Sequence, residues 1–128
     1  MAQVVSDVGP AVDQLNIAAA GAAVNNISLT HVGPAGPVLL AANVQFSGGA
    51  LAELCDIRPR RNGADLAPNL IVQGQTFVAA GVVNVCAIGV VADSQPGDVY
   101  TIFARTSGST GDILANLAQL TLVGLLAS

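Results

Sequence analysis

His31 is the sole histidine among 128 residues, and a search for acid–base or nucleophilic chemistry starts there. Strict alternation through Ile27-Ser28-Leu29-Thr30-His31-Val32 puts it on one face with Ile27 and Leu29. That placement marks an interior or subunit-contact imidazole with a satisfied hydrogen bond rather than a general base, because no Ser or Cys motif beside it supplies a nucleophile. The acids are scattered. Glu53 and Asp56, the one close pair, fall on opposite faces of an extended chain and do not form a general acid–base couple. Cys55 and Cys86 lie in apolar, strand-like runs without further Cys or His at metal-ligand spacing, so they read as buried, reduced thiols acting as small hydrophobes. A single cross-strand disulfide between them is the other reading. Ser107-Gly108-Ser109-Thr110-Gly111 has the composition of a phosphate loop but no surrounding strand–loop–helix with Lys, and is taken as an exposed loop. Arg58, Arg60 and Arg61 form the main basic cluster and read as a solvated turn or a subunit contact. No catalytic, cofactor-binding or metal-ligating residue is assigned, no cofactor is expected, and the chain is read as non-enzymatic.

The segments that would carry these residues are short and apolar, separated by Gly, Pro, Asn and Ser at intervals of roughly ten residues, the spacing of an all-β sandwich or barrel. Strands are expected over Ile27–Val32, Val38–Phe46, Leu51–Arg58, Leu70–Val72, Val99–Thr106 and Ile113–Leu126. In Val38–Phe46, Leu40, Ala42, Val44 and Phe46 share one face, with Asn43 and Gln45 opposite. Asn62-Gly63 supplies the positive φ values of a tight hairpin, and Pro59, lacking a ladder donor, marks an edge or a bulge. Thr76–Val91 is either two strands broken near Ala79-Ala80-Gly81 or one bent strand. In the last segment Leu120, Leu122 and Gly124 share a face. Its first half has helix formers, but the β-branched Thr121-Leu122-Val123 run favours strand. The domain organisation is a short N-terminal arm, residues 1–24, with one short strand expected near Gln14–Ala19, followed by a single domain over 25–128.

Composition limits the partners. The chain has four Arg, no Lys and eight Asp or Glu, a charged fraction of 9% against about 25% in an ordinary soluble domain. With so little charge, much of the surface is expected to be hidden against copies of the chain or a larger assembly. A net charge of −4 argues against nucleic acid, whose binding depends on Lys and Arg neutralising phosphates. Membrane insertion is not expected either, since the apolar run Phe77–Ala92 is too short to span a bilayer and too Val-rich to favour helix. No basic residue precedes the apolar N-terminal stretch, so no signal peptide is expected.

The succession Ile27-Ser28-Leu29-Thr30, Gly36-Pro37-Val38-Leu39-Leu40-Ala41-Ala42-Asn43-Val44-Gln45-Phe46 and Ile57-Arg58-Pro59-Arg60-Arg61-Asn62-Gly63 resembles the front half of a compact trimeric jelly roll. Asp93-Ser94-Gln95-Pro96-Gly97-Asp98-Val99-Tyr100-Thr101-Ile102 and the closing Leu120-Thr121-Leu122-Val123-Gly124-Leu125 resemble its back half. Over residues 25–126 the chain is similar to the tumour-necrosis-factor and complement-head superfamily, and most to its bacteriophage members among decoration proteins and fibre or tail-needle knobs. The resemblance implies an antiparallel jelly-roll sandwich that forms a homotrimer around an apolar axis. It implies a virion structural role at the capsid surface, with the major capsid protein as partner and cementing of the head as function. The alternative is a trimeric knob of a fibre or tail needle that binds a host surface receptor. The chain departs from the pattern in aromatics, which often pack at such an axis: it has only Phe46, Phe77, Tyr100 and Phe103.

Overall fold

The computed structural model describes residues 4–9, 22–23, 27–47, 54–66, 71–72, 75–76, 82–106 and 114–125. Every described element is a strand: β1 (Val4–Gly9), β2 (Ala22–Ala23), β3 (Leu29–Thr30), β4 (Gly36–Ser47), β5 (Leu54–Arg61), β6 (Ala64–Asp65), β7 (Ile71–Val72), β8 (Gln75–Thr76), β9 (Val82–Ser94), β10 (Val99–Thr106) and β11 (Leu114–Gly124). Two antiparallel sheets result. One has the order β1-β11-β4-β9-β7; the other runs β2-β10-β5-β6, with β3 on β10 and β8 on β5. From β3 onward the chain changes sheet at every connection except the β5–β6 hairpin, the wiring of a jelly-roll sandwich.

Period-two alternation builds the core. Val38, Leu40, Ala42, Val44 and Phe46 on β4, Val85, Ala87 and Val91 on β9, and Ala118, Leu120 and Leu122 on β11 point inward from the first sheet. They meet Cys55 and Ile57 on β5, and Tyr100, Ile102 and Ala104 on β10, from the second. Tyr100, Phe46, Leu40 and Ile57 are among the largest fully buried side chains, so two of the few aromatics sit between the sheets. The expected faces of β4 and β11 are those observed.

Several boundaries differ from the sequence reading. Only Leu29–Thr30 of the Ile27–Val32 alternation is ladder-paired, against β10, although Ile27, Leu29 and His31 all face inward. The stretch Thr76–Val91 is two strands in different sheets: β8 pairs β5 while β9 pairs β4. Cys55 is buried as expected, but Cys86 is exposed and neither is disulfide-bonded. Cys86 sits one residue out of phase with the inward Val85 and Ala87, so its thiol lies on the outer face, beside the Asn43 amide oxygen at 3.5 Å. Pro59 is not at a free edge. Its carbonyl accepts from the Leu66 N–H at 3.2 Å, so its backbone edge faces away from β10 and its missing N–H removes nothing from the β5–β10 ladder.

Before β3, β1 adds to the outer edge of β11 over six residue pairs, Val4↔Val123 to Gly9↔Ala118, and β2 adds to β10. The strand expected near Gln14–Ala19 and the loop Ser107–Gly111 lie outside the described residues, as does the side chain of Glu53.

Candidate functional site

A polar corner gathers where β9 turns into β10. Gln95-Pro96-Gly97-Asp98 closes with the Asp98 N–H on the Gln95 carbonyl at 3.0 Å, and Gly97 has φ 92°. These are the marks of a type II turn with Pro second and Gly third. Opposite it, the β5–β6 hairpin turns through Asn62 (φ 51°) and Gly63 (φ 83°), as Asn-Gly predicts. The Asn62 side chain joins the two turns: its amide nitrogen donates to Asp98 Oδ1 at 3.0 Å and its oxygen accepts from the Val99 N–H at 2.9 Å. Arg61 donates through Nε to Asp98 Oδ2 at 2.8 Å and through Nη1 to Asp93 Oδ1 at 2.8 Å. The backbone N–H of Gln95, then the Asn62 amide, outweigh partial desolvation and, with Arg61, hold the Asp98 carboxyl below the usual carboxylate range. Burial works against the Arg61 charge, yet the hydrogen bonds to Asp93 and Asp98 raise its affinity for protons above the ordinary value.

Under this clasp runs a buried relay. His31 Nε2 is 3.0 Å from the Pro34 carbonyl, which only accepts, so Nε2 carries the proton. In a neutral imidazole Nδ1 is then an acceptor, and the Ser94 hydroxyl 2.6 Å away donates to it. With that proton committed, the Tyr100 hydroxyl donates to Ser94 Oγ at 2.6 Å. Burial pushes the Tyr100 phenol above its usual pKa, with the Ser94 contact opposing. The His31 backbone is clamped as well, donating to the Asp98 carbonyl at 2.9 Å and accepting from the Gly97 N–H at 2.8 Å. Ser94 and His31 stand in the donor order of a nucleophile and its base. However, Ser94 is 0% and His31 4% exposed, so no substrate reaches the hydroxyl. The relay is a structural fastening.

Sequence parity places His31 inside but does not find its partner. Counting by twos from Val85, Ala87 and Val91 would bury Asp93. Instead Val38 opposes Val91 while Gly36 opposes Ser94. This β-bulge sets two residues of β9, Ala92 and Asp93, against one of β4, Pro37. The extra residue swings Asp93 out to Arg61 and turns Ser94 in. The only sequence signal is that Asp93 on the inner face would bury a carboxylate, which a register slip avoids.

The two outer faces differ in charge. On the five-stranded sheet, β4 and β11 contain no charged residue and β9 only Asp93, next to its end. The outward side chains include Asn43, Cys86, Ile88, Val90 and Gln119, with Ile88 48% and Val90 49% exposed. A shallow groove of about 270 Å³ runs between Ala41, Asn43, Cys86, Ile88, Gln119 and Thr121. On the six-stranded sheet, Asp56, Arg58 and Arg60 of β5 share the outer face with Asp65 of β6 and with Phe103 and Arg105 of β10. Arg60 donates to Asp65 at 2.7 Å and lies 3.8 Å over the Phe103 ring. The arginine cluster read as one feature therefore divides: Arg61 belongs to the corner, Arg58 and Arg60 to the sheet face. Among the described residues no group of three His, Cys, Asp or Glu could hold a metal ion, and no helix is long and apolar enough to cross a membrane.

No protein-family model and no curated protein sequence matches the chain. Solved structures do. Eiger TNF from S. frugiperda superposes with TM-score 0.59 at 10% identity, covering 98% of this chain and 94% of that one. The tripod from the baseplate of bacteriophage Tuc2009 gives TM-score 0.53 at 10% identity, covering 94% of this chain and 62% of that one. Infectious bursal disease virus Gx strain gives TM-score 0.57 at 11% identity over 99% of this chain and 37% of that chain. The chain thus spans almost the whole of the TNF but only part of the two viral chains. Its fold is the tumour-necrosis-factor-like jelly roll, one also found in phage and viral particle proteins.

Proposed function

We propose that the protein is a non-enzymatic virion structural protein: a homotrimeric decoration protein that sits on the capsid surface, binds the major capsid protein and cements the phage head. The observation that carries this reading is the outer face of β4, β9 and β11, uncharged apart from Asp93 near the end of β9. A sheet face left to water is ordinarily polar and charged. Here β4, β9 and β11 supply Ala, Ile, Cys, Asn, Gln and Thr around a shallow groove, a surface without charges to desolvate, as suits the core of a subunit contact. The likeness to a phage baseplate tripod and to a virus particle protein supports a place on a virion.

A trimeric receptor-binding knob of a fibre or tail needle is the second reading, favoured by the tripod being a baseplate part. Antibody labelling of intact virions separates the two. Label over the head supports decoration, and label confined to the tail tip supports the knob. No label on purified particles, or a stable monomer at micromolar concentration in sedimentation equilibrium, overturns the corresponding part of the proposal.

A further inference from the structure

We infer that the outer face of the six-stranded sheet, centred on Phe103 and its three arginines, is a docking surface for an acidic segment of another protein. This goes beyond the assembly reading and does not depend on it. Phe103 stands opposite Arg58 in the β5–β10 register, with Arg105 two residues along the same strand and paired to Asp56. Arg60 covers the ring. Among the described residues the face carries three Arg and two Asp (Asp56 and Asp65). Since the chain totals −4, this +1 face leaves −5 for everything else. It is a cationic island on an acidic molecule, built from Arg and an aromatic ring, which are enriched at the centres of protein contacts.

The arginines are also under-used. Arg60 has a hydrogen-bonded carboxylate at 2.7 Å. Arg58 reaches Asp56 and Asp65 only at 3.8 and 3.6 Å, and Arg105 reaches Asp56 at 3.6 Å. Among the described contacts, two guanidinium groups therefore share carboxylates without engaging either closely. Arg105 is 44% and Arg58 34% exposed. A carboxylate arriving from a partner can take bidentate hydrogen bonds from either. The interleaved Asp56 and Asp65 favour separate carboxylates, as on a peptide, over a continuous phosphate backbone, which would be forced against both. In an extended peptide alternate side chains are about 7 Å apart on one face, a spacing that can step over an intervening Asp.

The test uses the full-length protein and three fluorescent probes: an extended peptide of alternating Glu and Ser, the same peptide with Gln for Glu, and single-stranded oligodeoxythymidine. The Glu peptide is expected to bind and to weaken as ionic strength rises to about 0.15 M, where the Debye length is about 8 Å. The Gln peptide should not bind. Arg58→Gln with Arg105→Gln is expected to reduce Glu-peptide affinity at least about tenfold while circular dichroism stays that of wild type. Asp56→Asn removes the competing carboxylate and is expected to strengthen binding several-fold, a direction that a purely structural role of the pair would not produce. No binding of the Glu peptide at low salt, unchanged affinity in the double Gln variant, weaker binding by Asp56→Asn, or equal and competing binding of the oligonucleotide would each overturn the inference.

Discussion

At Ser94 one hydroxyl serves two neighbours, which makes it a sensitive probe of the corner. Ser94→Ala leaves both His31 Nδ1 and the Tyr100 hydroxyl without a partner in a buried setting. Stranding buried polar groups costs about 1–3 kcal/mol. Tyr100→Phe removes only the terminal donor, because Ser94 keeps its bond to His31, and is expected to cost about 0.5–1.5 kcal/mol. Urea denaturation should rank wild type above Tyr100→Phe and Tyr100→Phe above Ser94→Ala; the reverse order would mean that the Ser94 hydroxyl is not the shared partner of His31 and Tyr100. Asp98 gives a pH signature. Its folded-state carboxyl is held below the ordinary value by the Gln95 N–H, the Asn62 amide and Arg61. A depressed carboxylate contributes stability that is present above the unfolded pKa, about 3.9, and lost as pH falls through the folded one. Wild type is therefore expected to melt above Asp98→Asn at neutral pH, with the gap closing below about pH 4. A gap that persists at pH 2 would mean that the charge of Asp98 is not what holds the turns.

The two turns and the edge strand set the behaviour of the elements. Gly97 has φ 92° and Gly63 φ 83°, and an added Cβ would meet nothing within 4 Å at either. Gly97→Ala is thus a conformational penalty without a clash, about 1–2 kcal/mol for an L residue in the left-handed region, readable as a shift in denaturation midpoint. No change would show that the turn flips to another type. At the opposite edge, β1 pairs β11 along six residues, while β11 keeps its longer ladder to β4 on its other side. Deleting residues 1–20 is expected to lower the melting temperature yet leave a cooperative sandwich. Loss of cooperative unfolding would make β1 part of the minimal fold rather than an arm upon it.

At the scale of the whole molecule, the described charges concentrate on the outer face of the six-stranded sheet and at the Arg61–Asp98 corner. Ile88 is about half exposed on the uncharged face, in the groove beside Cys86 and Thr121. If copies meet there, Ile88→Arg buries an unpaired guanidinium against an apolar surface, a cost of several kcal/mol. The expected outcome is a monomer by sedimentation equilibrium at micromolar concentration, while Asp65→Asn on the other sheet keeps the wild-type mass. An Ile88→Arg protein that stays trimeric would move the contact elsewhere. Of the few aromatics, Phe46 and Tyr100 are consumed by the core, and Phe103 lies on the charged sheet under Arg60.

The inward rows on β4 and β11, the Asn62-Gly63 turn and the scarcity of charge were all readable from the residues. Each rests on local geometry: a strand alternates every second residue whatever it pairs with, and a left-handed turn needs its Gly or Asn wherever it occurs. What the residues could not disclose depends on register between distant strands. A bulge between Gly36 and Val38 decides that Ser94 rather than Asp93 is buried, and so joins Ser94 to His31 across 63 positions. The same pairing puts Cys86 outside and parts Arg61 from Arg58 and Arg60. It also gathers Asp56, Arg58, Arg60, Asp65 and Arg105 on one face of the six-stranded sheet, because which strands become neighbours is settled by the packing of two sheets and not by any stretch of chain within either.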